Sequence, residues 1–514
     1  RKIVPAKIYS AAIIGIEALP IEVETDLSSG LHTFKIIGLA DKAIEESKER
    51  VSLSLKNSGL KPPSSFNKKI TVNLAPADFK KEGSLYDLAI AIGFLVASGQ
   101  ISTPKINKSL FIGELSLEGN VKNVFGILPI VEMASNLNFE SIYLPFENLK
   151  EANFLKDKIK IYGVKNLKEL VDHLENRKII ENQASEETII IEETFDISQI
   201  ASLEEAKRAM EIVATGGHNI LLKGTPGTGK TLLAKSLPSI LPPLTKEETI
   251  EISKIYSVCG LLSKDKPLVT TRPFRNPHHS SSLVSIVGGG TNPKPGEISL
   301  AHRGVLFLDE FPEFPRSIIE SLRQPMEDGY ISISRARRSI IFPSKFILVA
   351  ASNPCPCGFF GDDVHQCTCS MAEIIKYNKK ISGPILDRID LVITIPKTKF
   401  QKLVSPKDEK SAQEIKNKVK NARKIQEERF KNSIPRIFTN SEMSIEEINS
   451  FCKLDSKSTE ILEKAEEKFG LSPRGIHKIL KVSRTIADLE ESPEIKPVHL
   501  LEALQYRETI PTNF

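Results

Sequence analysis

The chain has 514 residues, and 70 Lys plus Arg against 65 Asp plus Glu leave a formal charge of only +5. That balance excludes a bulk polycation of the histone type. A 40% apolar and 26% charged composition is that of a folded globular chain, not a disordered or fibrous one, and the length suggests about three domains. The longest apolar run, Leu85 to Gly99, is interrupted by Asp87 and falls short of the roughly 20 residues a bilayer requires. No signal peptide is visible, although the chain starts at Arg1, and the expected location is the cytoplasm. Four of the six cysteines fall between positions 355 and 369, which favours a metal over a disulfide framework.

In chain order, residues 1–180 alternate short β-like runs (Lys69 to Leu74, Leu110 to Ile112, Ser141 to Leu144) with helical patterns (Lys42 to Ser58, Tyr86 to Ser98, Leu128 to Asn136). This predicts a self-contained α/β or α+β domain. Residues 181–196 carry six acids and no Lys or Arg, the pattern of a linker. Within 197–397, Asn219 to Lys223, Val305 to Leu308 and Phe346 to Ala351 read as buried strands of a parallel sheet with polar or glycine-bearing turns at their carboxyl ends. From 398 to 514 the pattern is helical: Lys407 to Phe430, Ser444 to Phe451, Thr459 to Phe469, Pro473 to Glu490 and Pro497 to Gln505. A helical lid over an α/β core is expected.

Gly224-Thr225-Pro226-Gly227-Thr228-Gly229-Lys230-Thr231 fits G-x-x-x-x-G-K-[ST] directly after the apolar strand NILLK and before the apolar run LLAKSL. Such a loop wraps phosphate oxygens with backbone N–H groups at a helix N-terminus; Lys230 is placed to contact the β- and γ-phosphates of ATP and Thr231 to bind Mg2+. Val305 to Leu308 ends in Asp309 and Glu310. Asp309 is expected to help hold magnesium and Glu310 to activate water, while Asn353, at the end of the next apolar strand, can orient that water. Two further arginines, Arg388 before the last apolar strand and Arg474 at the start of a lid helix, are candidates for a transition-state clamp.

Cys355-Pro356-Cys357 and Cys367-Thr368-Cys369 are two C-x-C pairs nine residues apart. Four thiolates suit tetrahedral zinc in a structural role, because a full thiolate set leaves no open coordination position. His365 is a spare ligand candidate that reads better as a loop residue. Gly329 to Phe342 reads as a β-hairpin whose tip carries Arg335, Arg337 and Arg338, a candidate contact for nucleic-acid phosphates. His278 and His279 lack a third ligand at suitable spacing, so structure or DNA contact is expected of them rather than metal.

In this order, these elements resemble the AAA+ ATPases of the magnesium-chelatase-like branch over about Asp196 to Phe514. The runs AKRAMEIVATGGHNILLKGTPGTGKT, RPFRNPHHSSSLVSIVGGGTNPKPGEISLAHRGVLFLDEFPEF, NPCPCGFFGD and SPRGIHKILKVSRTIADL resemble the ComM/YifB family, bacterial proteins tied to DNA uptake and recombination. The resemblance implies Walker A roles for Lys230 and Thr231 and Walker B roles for Asp309 and Glu310. It makes Asn353 sensor one, Arg388 a finger reaching a neighbouring subunit, and Arg474 sensor two. It also implies a homohexameric ring with the basic hairpin facing its pore, a branch-migration motor acting on single-stranded or branched DNA, and no membrane. The alternative is a chelatase-type motor driving metal insertion through a partner subunit; no D-x-S-x-S metal-adhesion motif occurs in the chain. One departure stands ahead of AKRA, where Ala201-Ser202-Leu203-Glu204 replaces the Gly-Gln-Glu turn common among relatives.

The amino-terminal domain resembles the carboxy-terminal domain of Lon proteases. Lon places its nucleophile in K-D-G-P-S-A-G, and the matching Lys81-Glu82-Gly83-Ser84-Leu85-Tyr86-Asp87 puts Leu85 at that position and Leu128 at that of the activating lysine. Without a base beside a serine, no peptidase activity is expected.

Overall fold

A computed structural model describes residues 5–507 apart from 102–105, 107, 156–157, 182–194, 201–202, 335–338, 363, 398–408 and 435–436. The chain divides into two compact units, Arg1–Ile190 with Thr249–Val269, and Ile191–Glu248 with Thr270–Phe514.

The first unit is α+β. Seven of its strands, β1 (Ala6–Ile14), β2 (Glu17–Ser29), β3 (Thr33–Ile37), β4 (Lys68–Ala75), β5 (Ser109–Phe111), β6 (Ser141–Pro145) and β7 (Lys160–Val164), form one mixed sheet of order β3-β4-β2-β1-β5-β6-β7. Alternation sets the faces: in β2, Ile21, Val23, Thr25 and Leu27 are buried while Glu22, Glu24 and Asp26 are partly exposed. Helices α1 (Lys42–Asn57) and α2 (Asp87–Ala97) pack into one apolar cluster with Ile8, Val23 and Val72. Helix α3 (Ile127–Asn136) builds a second cluster with Leu110 and Leu144. Asp87, which breaks the longest apolar run, is fully buried. Arg50 Nε donates to it at 2.7 Å and Leu115 N–H at 3.2 Å, partners a carboxylate needs in that setting.

The sequence reading keeps 197–397 together, but Thr249–Val269 clusters with the amino-terminal unit. This stretch contains most of helix α4 (Lys246–Cys259). Lys254 Nζ donates to Glu132 Oε2 at 2.6 Å and to Glu17 Oε1 at 3.2 Å, and Ser257 Oγ to Glu151 Oε1 at 2.5 Å. Ile250 and Leu268 pack against the α3 cluster. Local periodicity marks this stretch as helical but carries no record of which core it joins.

The second unit has an all-parallel five-stranded sheet. Its strands are β8 (Ile220–Lys223), β9 (Phe274–Arg275), β10 (Val305–Leu308), β11 (Ile347–Ser352) and β12 (Leu391–Thr394), in the order β9-β10-β11-β8-β12. Both faces are covered: Ile220, Leu222, Val305 and Phe307 enter one apolar cluster, Leu221, Leu306 and Leu308 the other. Helix α5 (Glu204–Gly216) precedes β8, and α6 (Lys230–Ile240) follows it. The lid helices are α7 (Glu409–Arg429), α8 (Ile445–Phe451), α9 (Ser456–Phe469), α10 (Pro473–Leu489) and α11 (Pro497–Gln505), within one or a few residues of the pattern read from sequence. Buried His218, one residue before Asn219, bonds Thr485 Oγ1 on α10 at 2.8 Å, fastening lid to core. Among the described residues no helix is long and apolar enough to cross a membrane.

Candidate functional site

The sheet register brings three strand ends to one edge. Lys223 lies opposite Ser352 and Leu308 opposite Ala350, so the loop after β8, Asp309 after β10 and Asn353 after β11 converge where parallel strands present their carboxyl ends. Gly227 and Gly229 have φ of +79° and +90°, a left-handed backbone open to glycine that turns the loop into the start of α6. Lys230 Nζ donates to Gly224 C=O at 2.6 Å, Thr225 C=O at 3.0 Å and Asn353 Oδ1 at 3.2 Å. Burial pulls this ammonium below the usual lysine range, against Asp309 and Glu310, which pull it up. A buried cation held by neutral oxygens gains from an arriving anion.

Thr231 Oγ1 donates to Asp309 Oδ2 at 3.0 Å. Hydroxyl and carboxylate together are the hard oxygen donors magnesium takes, so the residues present fit the ion that ATP carries. Glu310 is exposed, with φ of +50°, and His279 Nδ1 lies 3.6 Å from its Oε2. Neither the strained backbone nor the histidine follows from spacing; the sequence treats His279 as structural or as a DNA contact.

Arg388 and Arg474 converge as well, on a residue the sequence reading missed. Arg388 Nη2 bonds Glu327 Oε2, and Arg474 Nη2 reaches Glu327 Oε1 at 3.3 Å. Arg388 holds the Glu327 carboxyl below the usual range. Arg474 remains largely exposed. Glu327 stands in Pro325-Met326-Glu327-Asp328, which offers no motif by which to find it.

The sulfur atoms of Cys355, Cys357, Cys367 and Cys369 all lie within 4.8 Å of one another. Cys355 to Cys357 is 3.3 Å, Cys357 to Cys367 3.5 Å and Cys355 to Cys367 3.7 Å. Tetrahedral zinc with bonds of about 2.3 Å separates its sulfurs by about 3.8 Å, so the four fit that ion. Phe359 N–H draws the Cys357 thiol down to about 6. His365 packs on the Phe359 ring, centroids 4.8 Å apart, and is not part of the cluster. The knuckle abuts the phosphate loop: a Cβ on Gly358, at φ +86°, would stand 2.9 Å from Pro226 Cγ.

Strands Tyr330–Ser334 and Ser339–Pro343 pair antiparallel with Ser334 opposite Ser339, forming the expected hairpin. Its tip residues Arg335, Arg337 and Arg338 lie outside the described residues, as do Ala201 and Ser202. In the first unit, half-buried Leu85 packs against both apolar clusters and Leu128 is fully buried. Ser84 Oγ bonds Glu114, and Lys81 Nζ is turned onto the carbonyls of Pro76 and Phe79.

The family "Magnesium chelatase, subunit ChlI" matches residues 196–403, its C-terminal part 409–507, and "Subunit ChlI of Mg-chelatase" 23–148. Competence protein ComM of Haemophilus influenzae is 42% identical over 98% of this chain and 97% of its own length. YifB of Escherichia coli is 40% identical over 97% of this chain and 96% of its own. The magnesium-chelatase 67 kDa subunit of Heliobacterium mobile is 26% identical over 31% of this chain and 28% of its own. Full-length identity of this order, with the magnesium-chelatase match over residues 196–403 and 409–507, means that the chain belongs to the ComM/YifB family of magnesium-chelatase-like AAA+ proteins.

Proposed function

We propose that the protein is an ATP-hydrolysing, homohexameric DNA motor of the cytoplasm that moves single-stranded or branched DNA during DNA uptake or recombination. The observation that carries the nucleotide half is the meeting of Lys230 with Asn353 and of Thr231 with Asp309 at one sheet edge. The name of the Haemophilus influenzae relative, a competence protein, supports the DNA half.

In this mechanism the N–H groups of Gly224–Lys230 take the phosphates, and Lys230 leaves its loop carbonyls for the β- and γ-phosphates. Thr231 and Asp309 hold magnesium, which supplies positive charge against the phosphate oxygens. Glu310 accepts the proton of the attacking water and Asn353 aligns that water. Arg388 is delivered to the nucleotide of the adjoining subunit, where charge builds on the transferred phosphoryl group, and Arg474 serves as sensor two. Arg335, Arg337 and Arg338 from each subunit ring the strand in the pore. The four-cysteine knuckle holds structural zinc. The first unit, with Leu85 and Leu128 where a nucleophile and its base would stand, serves assembly or DNA binding and cleaves no peptide.

The test is ATP hydrolysis with and without forked DNA. The reading expects DNA to stimulate hydrolysis, Lys230→Ala to abolish it, and Ala at Arg335, Arg337 and Arg338 together to remove stimulation and flatten the salt dependence of DNA binding. Wild-type hydrolysis indifferent to DNA would overturn it, and would favour the chelatase-type motor suggested by the partial likeness to the Heliobacterium mobile subunit.

A further inference from the structure

Arg388 combines an anchored backbone with a side chain that has a donor to spare. Its Nη1 donates to Pro384 C=O at 2.7 Å and its Nη2 bonds Glu327, yet its Nε is buried with no hydrogen-bond partner among the described residues. Beneath it the chain leaves the short helix Gly383–Leu386 in a tight turn. Arg388 N–H donates to Ile385 C=O at 2.8 Å and Ile389 N–H to Leu386 C=O at 3.1 Å.

Two elements distant in sequence hold that turn. Just ahead of β8, Asn219 Nδ2 donates to Arg388 C=O at 3.1 Å, and Asp390 Oδ2 accepts from Asn219 N–H at 3.0 Å. From the lid, Lys478 on α10 donates Nζ to Ile389 C=O at 2.9 Å and to Leu386 C=O at 3.3 Å, the carbonyls that bracket Asp387 and Arg388. Lys478 stands four residues after Arg474 and seven before Thr485, so one face of α10 carries all three. Arg474 meets Glu327, the partner of the Arg388 guanidinium. Thr485 Oγ1 meets His218, whose Nδ1 lies 3.4 Å from Asp390 Oδ2. That face of the lid helix thus reaches the Arg388 segment through its side chain, its backbone and its following acid.

Lys478 is aimed at backbone rather than at an acid. Among the described residues it makes no ion pair. Burial pulls its ammonium below the usual lysine range; Asp390 and Asp387 oppose this, Arg507 adds to it, and burial prevails. The last carbonyls of a helix have no following N–H within the helix to satisfy them, and a lysine is one of the groups that supply donors there. Ile389 is 2% exposed, so its carbonyl would lose a charged donor in a setting that water barely reaches, and the turn would be released from α10.

We infer that Lys478 is a positioning residue for Arg388: through the Leu386 and Ile389 carbonyls it sets where the guanidinium emerges, so that α10 of one subunit governs hydrolysis in the next. The inference rests on the reading of Arg388 as a finger acting on the adjoining subunit's nucleotide. Lys478 itself touches no nucleotide in this scheme. A misplacement of about 1 Å at a catalytic group can cost on the order of 100-fold in rate.

The experiment compares full-length wild type, Lys478→Met and Arg388→Ala in ATP binding and steady-state hydrolysis, alone and in mixtures. Lys478→Met keeps most of the stem and loses the donors. It is expected to bind ATP like wild type, to keep KM, and to lower kcat roughly tenfold or more. Mixed with Lys230→Ala, whose Arg388 is intact, it should recover activity, because its own phosphate loop then meets a well-placed finger. Mixed with Arg388→Ala it should not, because the one finger on offer is the misplaced one. Lys478→Gln, whose amide can still donate to one carbonyl, should show a smaller loss with the same pattern, and it carries the test if Lys478→Met does not fold. Wild-type kcat in the Lys478 variants, weakened ATP binding, or any other pattern of recovery overturns the inference. Arg388→Ala as active as wild type would remove the finger itself and the inference with it, so that variant alone tells the two failures apart.

Discussion

Thr231 Oγ1 donates to Asp309 Oδ2 across 3.0 Å, so the first turn of α6 and the end of β10 are joined by the pair expected to share a magnesium ion. Asp309→Asn keeps an acceptor for that hydroxyl but removes the charge facing the metal. It is expected to leave the fold intact, to weaken nucleotide binding in the presence of magnesium more than in its absence, and to lower hydrolysis about 100-fold or more. Nucleotide titration with and without the metal, beside a hydrolysis assay, checks this; equal affinity and wild-type rate would contradict it.

Glu327 restrains Arg388 and Arg474 together; the pair with Arg474 is exposed on both sides and worth roughly 0–1 kcal/mol, whereas Arg388, its side chain only 14% exposed and also bonded to the Pro384 carbonyl, is held more firmly. In the proposed ring, Arg388 has to leave Glu327 to reach a neighbouring subunit's phosphates. Arg388→Ala is expected to abolish hydrolysis while retaining ATP binding. Mixing it with Lys230→Ala, which is inactive for a different reason, is expected to restore partial activity, because one chain supplies the loop and the other the finger. Mixtures as inactive as either parent would remove the trans role.

Gly358 lies close enough to Pro226 that an added Cβ would stand 2.9 Å from Pro226 Cγ, which sets the cysteine cluster beside the loop 224–231. At φ +86° an alanine is strained, and its Cβ meets Pro226 within 3.0 Å, so Gly358→Ala should cost roughly 1–3 kcal/mol and weaken ATP binding. Purified protein should carry one zinc per chain. Cys357→Ser should lower both zinc content and ATP affinity. Metal analysis and nucleotide titration on the same samples test the coupling, which is refuted if zinc loss leaves ATP affinity unchanged.

Glu151 is buried, and burial pushes its carboxyl from near 4.5 up to about 6. Because the folded state holds this proton more tightly than the unfolded chain, stability is full below about pH 4.5, falls as pH rises to about 6, and is then level; the step is at most about 2 kcal/mol. Leu128 N–H and Ser257 Oγ both donate to Oε1, which Glu151→Gln retains. That variant should be the more stable at pH 8 and lose the step. Denaturant titrations between pH 4 and 8 measure both.

The phosphate loop, Asp309, Glu310 and Asn353 are legible in the sequence because each sits at the end of an apolar strand, and a parallel sheet brings such ends to one edge without further information. The four cysteines are legible because their spacing is local. Glu327 is not, since an acid on an exposed short helix acquires its role only when Arg388 and Arg474, 61 and 147 residues away, fold onto it. Helical periodicity identifies α4 but cannot say that Lys254 and Ser257 belong with Glu132 and Glu151.

Because Thr249–Val269 belongs to the first unit, the chain passes from one unit to the other three times rather than once. Severing it in the acidic stretch 181–196 therefore does not release two independent halves. The carboxy-terminal fragment would keep α4 with Ile250 stripped of its apolar neighbours and Lys254 of its acids. The amino-terminal fragment would be left with buried Glu151 short of one hydrogen-bond donor. The two units are interleaved parts of one polypeptide circuit, inherited or lost together.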